Sequence, residues 1–258
     1  MQEKIFKIKK RLESELKLEL APPEECLVGS KAPVNKASLC EMIDHTLLKP
    51  EAARKNYIAL FEEARKYGFY SVCIPPVQVE FAARELQSDA VKICTVVGFP
   101  LGYSTTNTKI TEAKESMILG ADEIDMVMNV SALKSFDYEL VLNEIKAIKD
   151  SLNKNIKLKV IIETALLDET EKYAAAWIVK AAGADYIKTS TGFSGKGATI
   201  EDVKLLKSIA GKDMGVKASG GIKSYEQAMS MIEAGASRLG VSSSVEIIEG
   251  EKGLFSQY

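Results

Sequence analysis

The sequence predicts an α/β protein of the (β/α)8 TIM barrel type, with an extra helix at its N-terminus. Eight short β-branched segments alternate with longer amphipathic segments, as expected of repeated βα units. Three strand candidates follow a Gly-Ala pair, in GADEIDM, GADYIKT and GASRLGV, which indicates an internal repeat. The length of 258 residues is usual for one such barrel. A doubly wound open sheet is the alternative, but no G-x-G-x-x-G motif follows the first strand.

The first segment is predicted to form an amphipathic helix, because its apolar residues recur at three- and four-residue steps. These residues are Met1, Ile5, Ile8, Leu12 and Leu16. We expect the apolar stripe to pack on the barrel or on a second subunit; binding of another protein is the alternative. A linker rich in Pro and Gly, APPEECLVGSKAPVN, follows. We therefore divide the chain into a helix and linker extension, residues 1–40, and a barrel, residues 41–258.

The eight predicted strands are, in chain order, MIDHT, FYSVCI, VKICTVVGF, DEIDMVM, IKLKVIIE, DYIKTS, MGVKASG and SRLGVS. The first intervening helix, EAARKNYIALFEEARKY, follows Pro50, and proline is favoured at the first helical position. We expect this helix to end at Gly68, since glycine is a common C-terminal stop.

The charge balance gives no reason to expect nucleic acid or an anionic membrane as a partner. The chain has 34 basic and 36 acidic side chains and a net charge of −2. The first residues mix Glu with Lys and do not resemble a signal or transit peptide. We expect a cytoplasmic protein without a membrane segment.

The spacing of the cysteines argues against a redox motif, and the single histidine argues against a zinc site. Cys26, Cys40, Cys73 and Cys94 lie far apart without a C-x-x-C pair, so reduced thiols are expected. Catalytic zinc sites commonly use two or three histidines, whereas only His45 is present. We therefore predict no metal and no cofactor, although carboxylates alone could hold magnesium.

Candidate catalytic residues are the polar ones at strand ends, because the active site of this fold lies at the C-terminal ends of its strands. This criterion selects Asp44, Cys73, Asp125, Glu163, Lys188 and Lys217.

Lys188 and Lys217 stand at equivalent places on two successive strands, in DYIKTS and GVKASGG. Neighbouring strands lie about 5 Å apart, so the two amines could approach each other closely. Like charge and burial would then lower the proton affinity of one amine, and a neutral lysine is a nucleophile toward carbonyl carbon. The alternative is that each lysine reaches solvent or pairs with a carboxylate.

The other strand-end residues have weaker or more ambiguous roles. Alternation places Asp125 on the same face as Glu123, where it could relay protons beside the lysines or form an ion pair with Lys217. Asp44 could orient a lysine, bind substrate or cap the loop after the first strand. Cys73 is more typical of packing than of chemistry, and Glu163 is expected to form an ion pair.

Glycines and hydroxyls follow the last three strands, in STGFSGKG, SGGI and GVSSSVEII. Glycine lets backbone N–H groups approach an anion, and a short helix after Ser243 would direct its positive end at it. One such loop is weak evidence because βα turns use glycine for backbone reasons. Three on adjacent strands favour a phosphate site.

From about Glu41 to Glu246 the chain resembles the deoxyribose-phosphate aldolases, a class I aldolase family. The resemblance rests on IDHTLLKP, TVVGFPLG, GADEIDMVMN, KVIIET, YIKTSTGF, VKASGGI and GVSS, in the order of the family. It implies a barrel that reversibly cleaves 2-deoxy-D-ribose 5-phosphate to D-glyceraldehyde 3-phosphate and acetaldehyde without metal. It also implies a dimer or tetramer.

The resemblance implies specific roles for the residues that match the motifs. Lys188 would form the Schiff base, Lys217 would activate it and relay protons, and Asp125 would act as the acid and base. The residues expected to bind substrate, mainly its phosphate, are Asp44, Cys73, Thr191, Gly192, Gly220, Gly221, Gly240, Ser242 and Ser243.

Three parts of the chain fall outside the resemblance or match it weakly. The first forty residues carry no family motif, FSGKG and SSSVEII are not diagnostic, and the tail GLFSQY is variable. In some family members a C-terminal tyrosine reaches the site, but for Tyr258 a frayed terminus is the better expectation. Two rival functions stay open: a class I aldolase for another aldehyde, and a catalytically silent barrel that binds a phosphorylated metabolite.

Overall fold

The computed structural model describes residues 2–24 and 35–255, and its centre is a closed barrel of eight parallel strands. The strands pair in sequence order, and β8 pairs with β1. They are β1 Ile43–Thr46, β2 Ser71–Ile74, β3 Lys92–Val97, β4 Glu123–Val127, β5 Lys157–Ile161, β6 Tyr186–Lys188, β7 Gly215–Ser219 and β8 Arg238–Val241. All eight lie within the predicted segments, so the (β/α)8 prediction is confirmed.

Helices connect the strands, and two 3₁₀ turns, Pro76–Gln78 and Thr164–Leu166, occur among them. The helices are α1 Gln2–Leu16, α2 Lys36–Cys40, α3 Arg54–Tyr67, α4 Val79–Glu85, α5 Thr106–Ile118, α6 Val130–Lys134, α7 Tyr138–Ser151, α8 Glu169–Ala181, α9 Ile200–Ala210, α10 Tyr225–Glu233 and α11 Ser244–Phe255.

The start of α3 differs from the prediction that it would begin directly after Pro50. The Ala52 N–H bonds the Lys49 carbonyl in a turn, and Ala53 is extended. The Asn56 side chain then accepts the Ala53 N–H at 2.9 Å, which caps a helix that begins at Arg54. The predicted end is confirmed, since Gly68 terminates α3 in the left-handed conformation at φ 70°.

The N-terminal helix α1 packs on the outside of the barrel against α7 and α8. Leu12 is fully buried in this contact, and the Arg11 guanidinium lies 4.7 Å from the ring centre of Phe136. The chain then runs back along α8, where the Trp177 indole N–H donates to the Ala21 carbonyl at 2.9 Å. The apolar stripe of α1 therefore faces the barrel. Residues 25–34 of the predicted linker, with Cys26, and Tyr258 lie outside the described residues.

The barrel interior is charged, whereas barrels of this type usually fill it with branched apolar side chains. None of its seven ionisable residues is more than 4% exposed. They are Asp44, Glu123, Asp125, Lys159, Lys188, Lys217 and Arg238. The apolar core lies instead between the strands and the helices, where β4 contributes Ile124 and Met126. A buried charge cluster thus fills the interior of the barrel. Among the described residues, no helix is long and apolar enough to cross a membrane.

Candidate active site

Asp125 brings together the two lysines that the sequence selects. Lys188 and Lys217 are register partners on β6 and β7. Both bind the same carboxylate oxygen of Asp125, Oδ2, with Nζ distances of 2.8 Å for Lys188 and 2.6 Å for Lys217. Because adjacent parallel strands present equivalent positions side by side, the repeated placement in sequence becomes proximity in space.

A third lysine, Lys159, lies in the same cluster and was missed by the sequence reasoning. Its Nζ is 2.7 Å from Asp125 Oδ1 and 2.7 Å from Glu123 Oε2, and Cys94 Sγ lies 3.2 Å away. Lys159 is the register partner of Asp125 on β5. The sequence signal for Lys159 is a lysine within an apolar strand, and Lys157 on the same strand has the same signal.

Asp44 extends the cluster toward β8. Its Oδ2 lies 2.5 Å from Lys217 Nζ, and its Oδ1 lies 2.8 Å from the Arg238 guanidinium. Ser71 Oγ donates to the same Oδ1 at 2.7 Å. Arg238 also binds Glu123 at 3.0 Å. Of the roles considered for Asp44, its geometry matches the orientation of a lysine.

The ionisation of the cluster follows from its mutual contacts. Burial opposes the charge of Asp125, yet Lys159, Lys188 and Lys217 outweigh it and hold the pKa of Asp125 well below its usual range. The pKa of Asp44 is lowered in the same way, by Lys217 foremost, against the effect of burial. These carboxylates are therefore ionised at neutral pH.

Three of the four basic groups are held in their charged form. Burial lowers the pKa of Lys159, Lys217 and Arg238, but the carboxylates beside each outweigh it and raise the pKa above the ordinary value. These three cations already match the three carboxylates Asp44, Glu123 and Asp125. With Lys188 included, the cluster holds four basic groups against three carboxylates. The sequence argument expected one amine to lose proton affinity, and Lys217 is not that amine.

Glu163 does not form the ion pair that the sequence predicts. Among the described residues, no lysine or arginine lies within ion-pair distance of it. Its buried carboxylate instead accepts the Thr191 N–H at 3.2 Å and the Thr191 hydroxyl at 2.5 Å. Its backbone is left-handed, with φ 53°, which is uncommon for a residue other than glycine. Glu163 thus fixes the start of the loop after β6.

The glycine-bearing loops after β6 and β7 touch each other. Gly192, Gly220 and Gly221 all have positive φ, which favours glycine. At Gly197 a Cβ would lie 1.9 Å from the Gly220 carbonyl oxygen, and the Ala198 N–H bonds that carbonyl. The two loops therefore approach so closely that a side chain at Gly197 would separate them.

The candidate substrate-binding residues on β8 and in the segment after it lie in two different environments. Gly240 lies on the strand inside the barrel, where a Cβ would meet Lys217 Cε at 2.9 Å. Glycine at this position therefore leaves room for the Lys217 side chain. Ser242 and Ser243 follow the strand, and α11 begins at Ser244 as expected, with its first backbone bond from Ile247 to Ser243.

Cys73 forms part of a small apolar cluster inside the barrel, with Cys94, Val96, Leu48 and Phe99. It is a free thiol and fully buried. A hydrogen bond with Cys94 lowers the pKa of Cys73, although burial raises it. Cys73 therefore packs within the barrel interior.

Within residues 2–24 and 35–255, two residue groups have ligand atoms close enough to hold a metal ion. They are Cys73, Cys94 and Asp125, and Asp44, Cys94 and Glu123. Their carboxylates are already bound by the ammonium groups of Lys159, Lys188 and Lys217. A divalent cation would have to displace these ammonium groups. The donor set therefore fits lysine chemistry better than metal binding.

Comparison with known proteins gives a consistent result. The family model described as DeoC/LacD family aldolase matches residues 39–249. A deoxyribose-phosphate aldolase of Clostridium perfringens is 52% identical over 218 residues, which cover 84% of this chain and 97% of that protein. An enzyme of the same name from Thermococcus kodakarensis is 51% identical over 221 residues, which cover 84% and 98%.

Solved structures are similar over most of the chain. A structure from Coccidioides immitis, assigned as a deoxyribose-phosphate aldolase, gives a TM-score of 0.86 at 40% identity and covers 94% of this chain and 96% of that one. A tetrameric deoxyribose phosphate aldolase from Aeropyrum pernix gives a TM-score of 0.80 at 36% identity, with 85% and 93% covered.

Proposed function

This chain belongs to the DeoC/LacD family of aldolases and is a lyase, and we propose that it acts on 2-deoxy-D-ribose 5-phosphate through a Schiff base on Lys188. The products are D-glyceraldehyde 3-phosphate and acetaldehyde, and the reaction is reversible. The observation that carries the proposal is the buried cluster in which Lys188 and Lys217 bind the same carboxylate oxygen of Asp125, while Lys159 binds the other oxygen.

Lys188 acts as the nucleophile. Its neutral amine adds to the aldehyde carbon of the open-chain sugar, and loss of water gives an iminium ion. The bond between C2 and C3 then breaks as the C3 hydroxyl loses its proton, and the electron pair moves into the iminium to give an enamine. Protonation of the enamine carbon and hydrolysis release acetaldehyde and restore the amine.

Asp125 and Lys217 handle the protons of these steps. The Asp125 carboxylate binds both amines through one oxygen, so it connects the nucleophile with the Lys217 ammonium. Lys217 can donate a proton during dehydration and recover it later, because Asp125 favours the charged form of the amine. Asp44 holds the Lys217 ammonium from the other side. Lys159 stabilises the Asp125 carboxylate.

The substrate phosphate is proposed to bind the loops after β6, β7 and β8. Support comes from the close approach of Gly197 and Gly220 and from Ser242 and Ser243 at the start of α11. Backbone N–H groups at such turns and at a helix N-terminus favour an anion. Thr191 and Gly192 belong to the same surface, whereas Gly240 supports the site by leaving room for Lys217.

The remaining assignments are also proposals. A homo-oligomer, dimer or tetramer, is supported by the tetrameric structure from Aeropyrum pernix. A cytoplasmic location agrees with the free thiols of Cys73 and Cys94. The division at residue 40 agrees with a family match that begins at residue 39. No nucleic acid and no membrane is proposed as a partner.

The test is a product assay on 2-deoxyribose 5-phosphate with the purified chain. We expect equimolar glyceraldehyde 3-phosphate and acetaldehyde, with unphosphorylated 2-deoxyribose as a much poorer substrate. Equal kcat/KM for the two sugars would show that the phosphate assignment is wrong, and an absence of cleavage with an intact fold would refute the proposed activity.

A further inference from the structure

His45, the only histidine of the chain, lies on β1 and contacts α3 and the start of α11. It follows Asp44 on β1, so the two side chains point to opposite faces of the strand. His45 Nδ1 lies 2.9 Å from Ser244 Oγ, and Nε2 lies 2.8 Å from Glu63 Oε2 on α3. The imidazole is 3% exposed and its ring packs against Phe69 with the centroids 5.0 Å apart. These contacts fix the ring between β1, α3 and α11.

The partners of the ring define its tautomer. Burial lowers the pKa of His45, although Glu63 acts in the opposite direction, so the imidazole is neutral at pH 7. A carboxylate only accepts hydrogen bonds, so Nε2 carries the proton and donates it to Glu63. Nδ1 is then left as an acceptor. The hydroxyl of the fully buried Ser244 lies 2.9 Å from Nδ1 and 3.2 Å from the Val241 carbonyl, so the shorter contact assigns its proton to the ring.

This hydrogen bond acts on the segment that is proposed to hold the substrate phosphate. Ser244 is the first residue of α11 and follows Ser242 and Ser243 directly. This segment borders an open pocket of about 550 Å³, and Ser242, Ser243 and His45 are among the residues that line it. Few side chains pack against the segment where it borders this pocket. The hydrogen bond to His45 therefore attaches the first turn of α11 to β1, in addition to the pairing of β1 with β8.

We propose that His45 is a positioning residue for the phosphate subsite, acting through Ser244 on the first turn of α11. The inference rests on the proposed function. Strand β1 also carries Asp44, which binds Lys217 at 2.5 Å. Strand β1 therefore contacts the amine cluster through Asp44 on its inner face and the first turn of α11 through His45 on its outer face.

The test separates phosphate binding from amine chemistry. In H45F the ring shape is kept and both hydrogen bonds are lost, and in S244A the hydroxyl is lost. We expect each variant to raise KM for 2-deoxyribose 5-phosphate about three- to tenfold, as one net hydrogen bond allows, with kcat within about twofold. Inhibition by inorganic phosphate should weaken by the same factor. Deuterium exchange of the acetaldehyde methyl group, which uses Lys188 but no phosphate, should be unchanged.

Two matched variants show which contact of the ring matters. An asparagine amide can replace Nδ1, so H45N should keep the bond to Ser244 and restore KM. A glutamine amide can replace Nε2, so H45Q should keep the Glu63 contact and still show the raised KM. The double variant H45F/S244A should be no worse than either single variant, since both remove one shared contact.

Several results would overturn the inference. An unchanged KM and phosphate inhibition constant in S244A would do so, as would equal losses in cleavage and acetaldehyde exchange. If H45F fails to fold, the H45N and H45Q pair and S244A decide the question. Failure of the proposed function has a different signature, because the wild-type chain would then show neither cleavage nor exchange.

Discussion

Asp125 holds three ammonium groups with one carboxylate, so its change to asparagine is a sharp test of the charge cluster. Asp125 is fully buried and lies 2.6 to 2.8 Å from Lys159, Lys188 and Lys217. D125N keeps the volume of the side chain but leaves two carboxylates against four basic groups. Breaking a buried pair costs about 3–5 kcal/mol, and loss of a proton from a lysine relieves part of this cost.

We expect D125N to lose about 3 kcal/mol of stability and about 5–10 °C in Tm, in the range for a chain of this size. Its kcat/KM should fall about 10²- to 10⁴-fold, the usual contribution of a positioned acid or base.

The stability contributed by Asp125 depends on pH with a defined sign. Because the pKa of Asp125 is lowered in the folded state, its stabilisation is present above the unfolded value of 3.8 and is lost as pH falls further. The stability difference between wild type and D125N should therefore shrink below about pH 4.

A buried pair outside the site supplies the control. Lys109 and Glu144 are joined at 2.9 Å and are as buried as the cluster. The matched change E144Q should also lower Tm while kcat/KM stays within about threefold, because no reacting group is touched. Urea unfolding and steady-state kinetics on both variants give the comparison. The reasoning is refuted if folded D125N keeps kcat/KM within tenfold of wild type, or if E144Q loses as much activity as D125N.

Three further changes address other parts of the account. K217L should lower kcat/KM about 10²-fold, and it should move the acidic limb of the pH–rate profile to higher pH because one of the two cations that share Asp125 with Lys188 is then gone; an unmoved limb would contradict this. G197A should raise KM for the phosphorylated sugar at least about tenfold, since the new Cβ would meet the Gly220 carbonyl at 1.9 Å; an unchanged KM would show that these loops do not form the phosphate site. L12A should lower the free energy of unfolding by about 2–4 kcal/mol without changing kcat, because the side chain is fully buried under α1; an unchanged urea midpoint would show that the helix does not stabilise the barrel.

The strands and the catalytic candidates were predictable because they depend on local pattern. Short β-branched runs and Gly-Ala pairs define the strands, and parallel strands bring their C-terminal ends to one face. Lys188 and Lys217 stand out because a lysine at the end of an apolar strand has no helix surface to occupy. Their shared contact with Asp125 then follows from strand order and register.

Other features could not be predicted because they depend on which level of the barrel a side chain occupies. Lys157 and Lys159 lie two residues apart on β5 and point to the same face, yet Lys157 is half exposed and binds Asp185 while Lys159 is fully buried. Shear and tilt of the barrel set that difference. The start of α3 depends on the Asn56 cap, which overrides the preference of Pro50. The bond between His45 and Ser244 joins residues 199 apart in sequence, and neither spacing nor periodicity indicates it.

The central claim is that the neutral amine of Lys188 forms the Schiff base. Incubation with acetaldehyde, reduction with borohydride and peptide mass mapping test it directly. The account predicts one added ethyl group on the peptide that contains Lys188, and no such group in K188R, because a guanidinium is not a usable amine nucleophile. An unmodified Lys188 in folded, active protein, or an adduct located on Lys159 or Lys217 instead, would contradict the account.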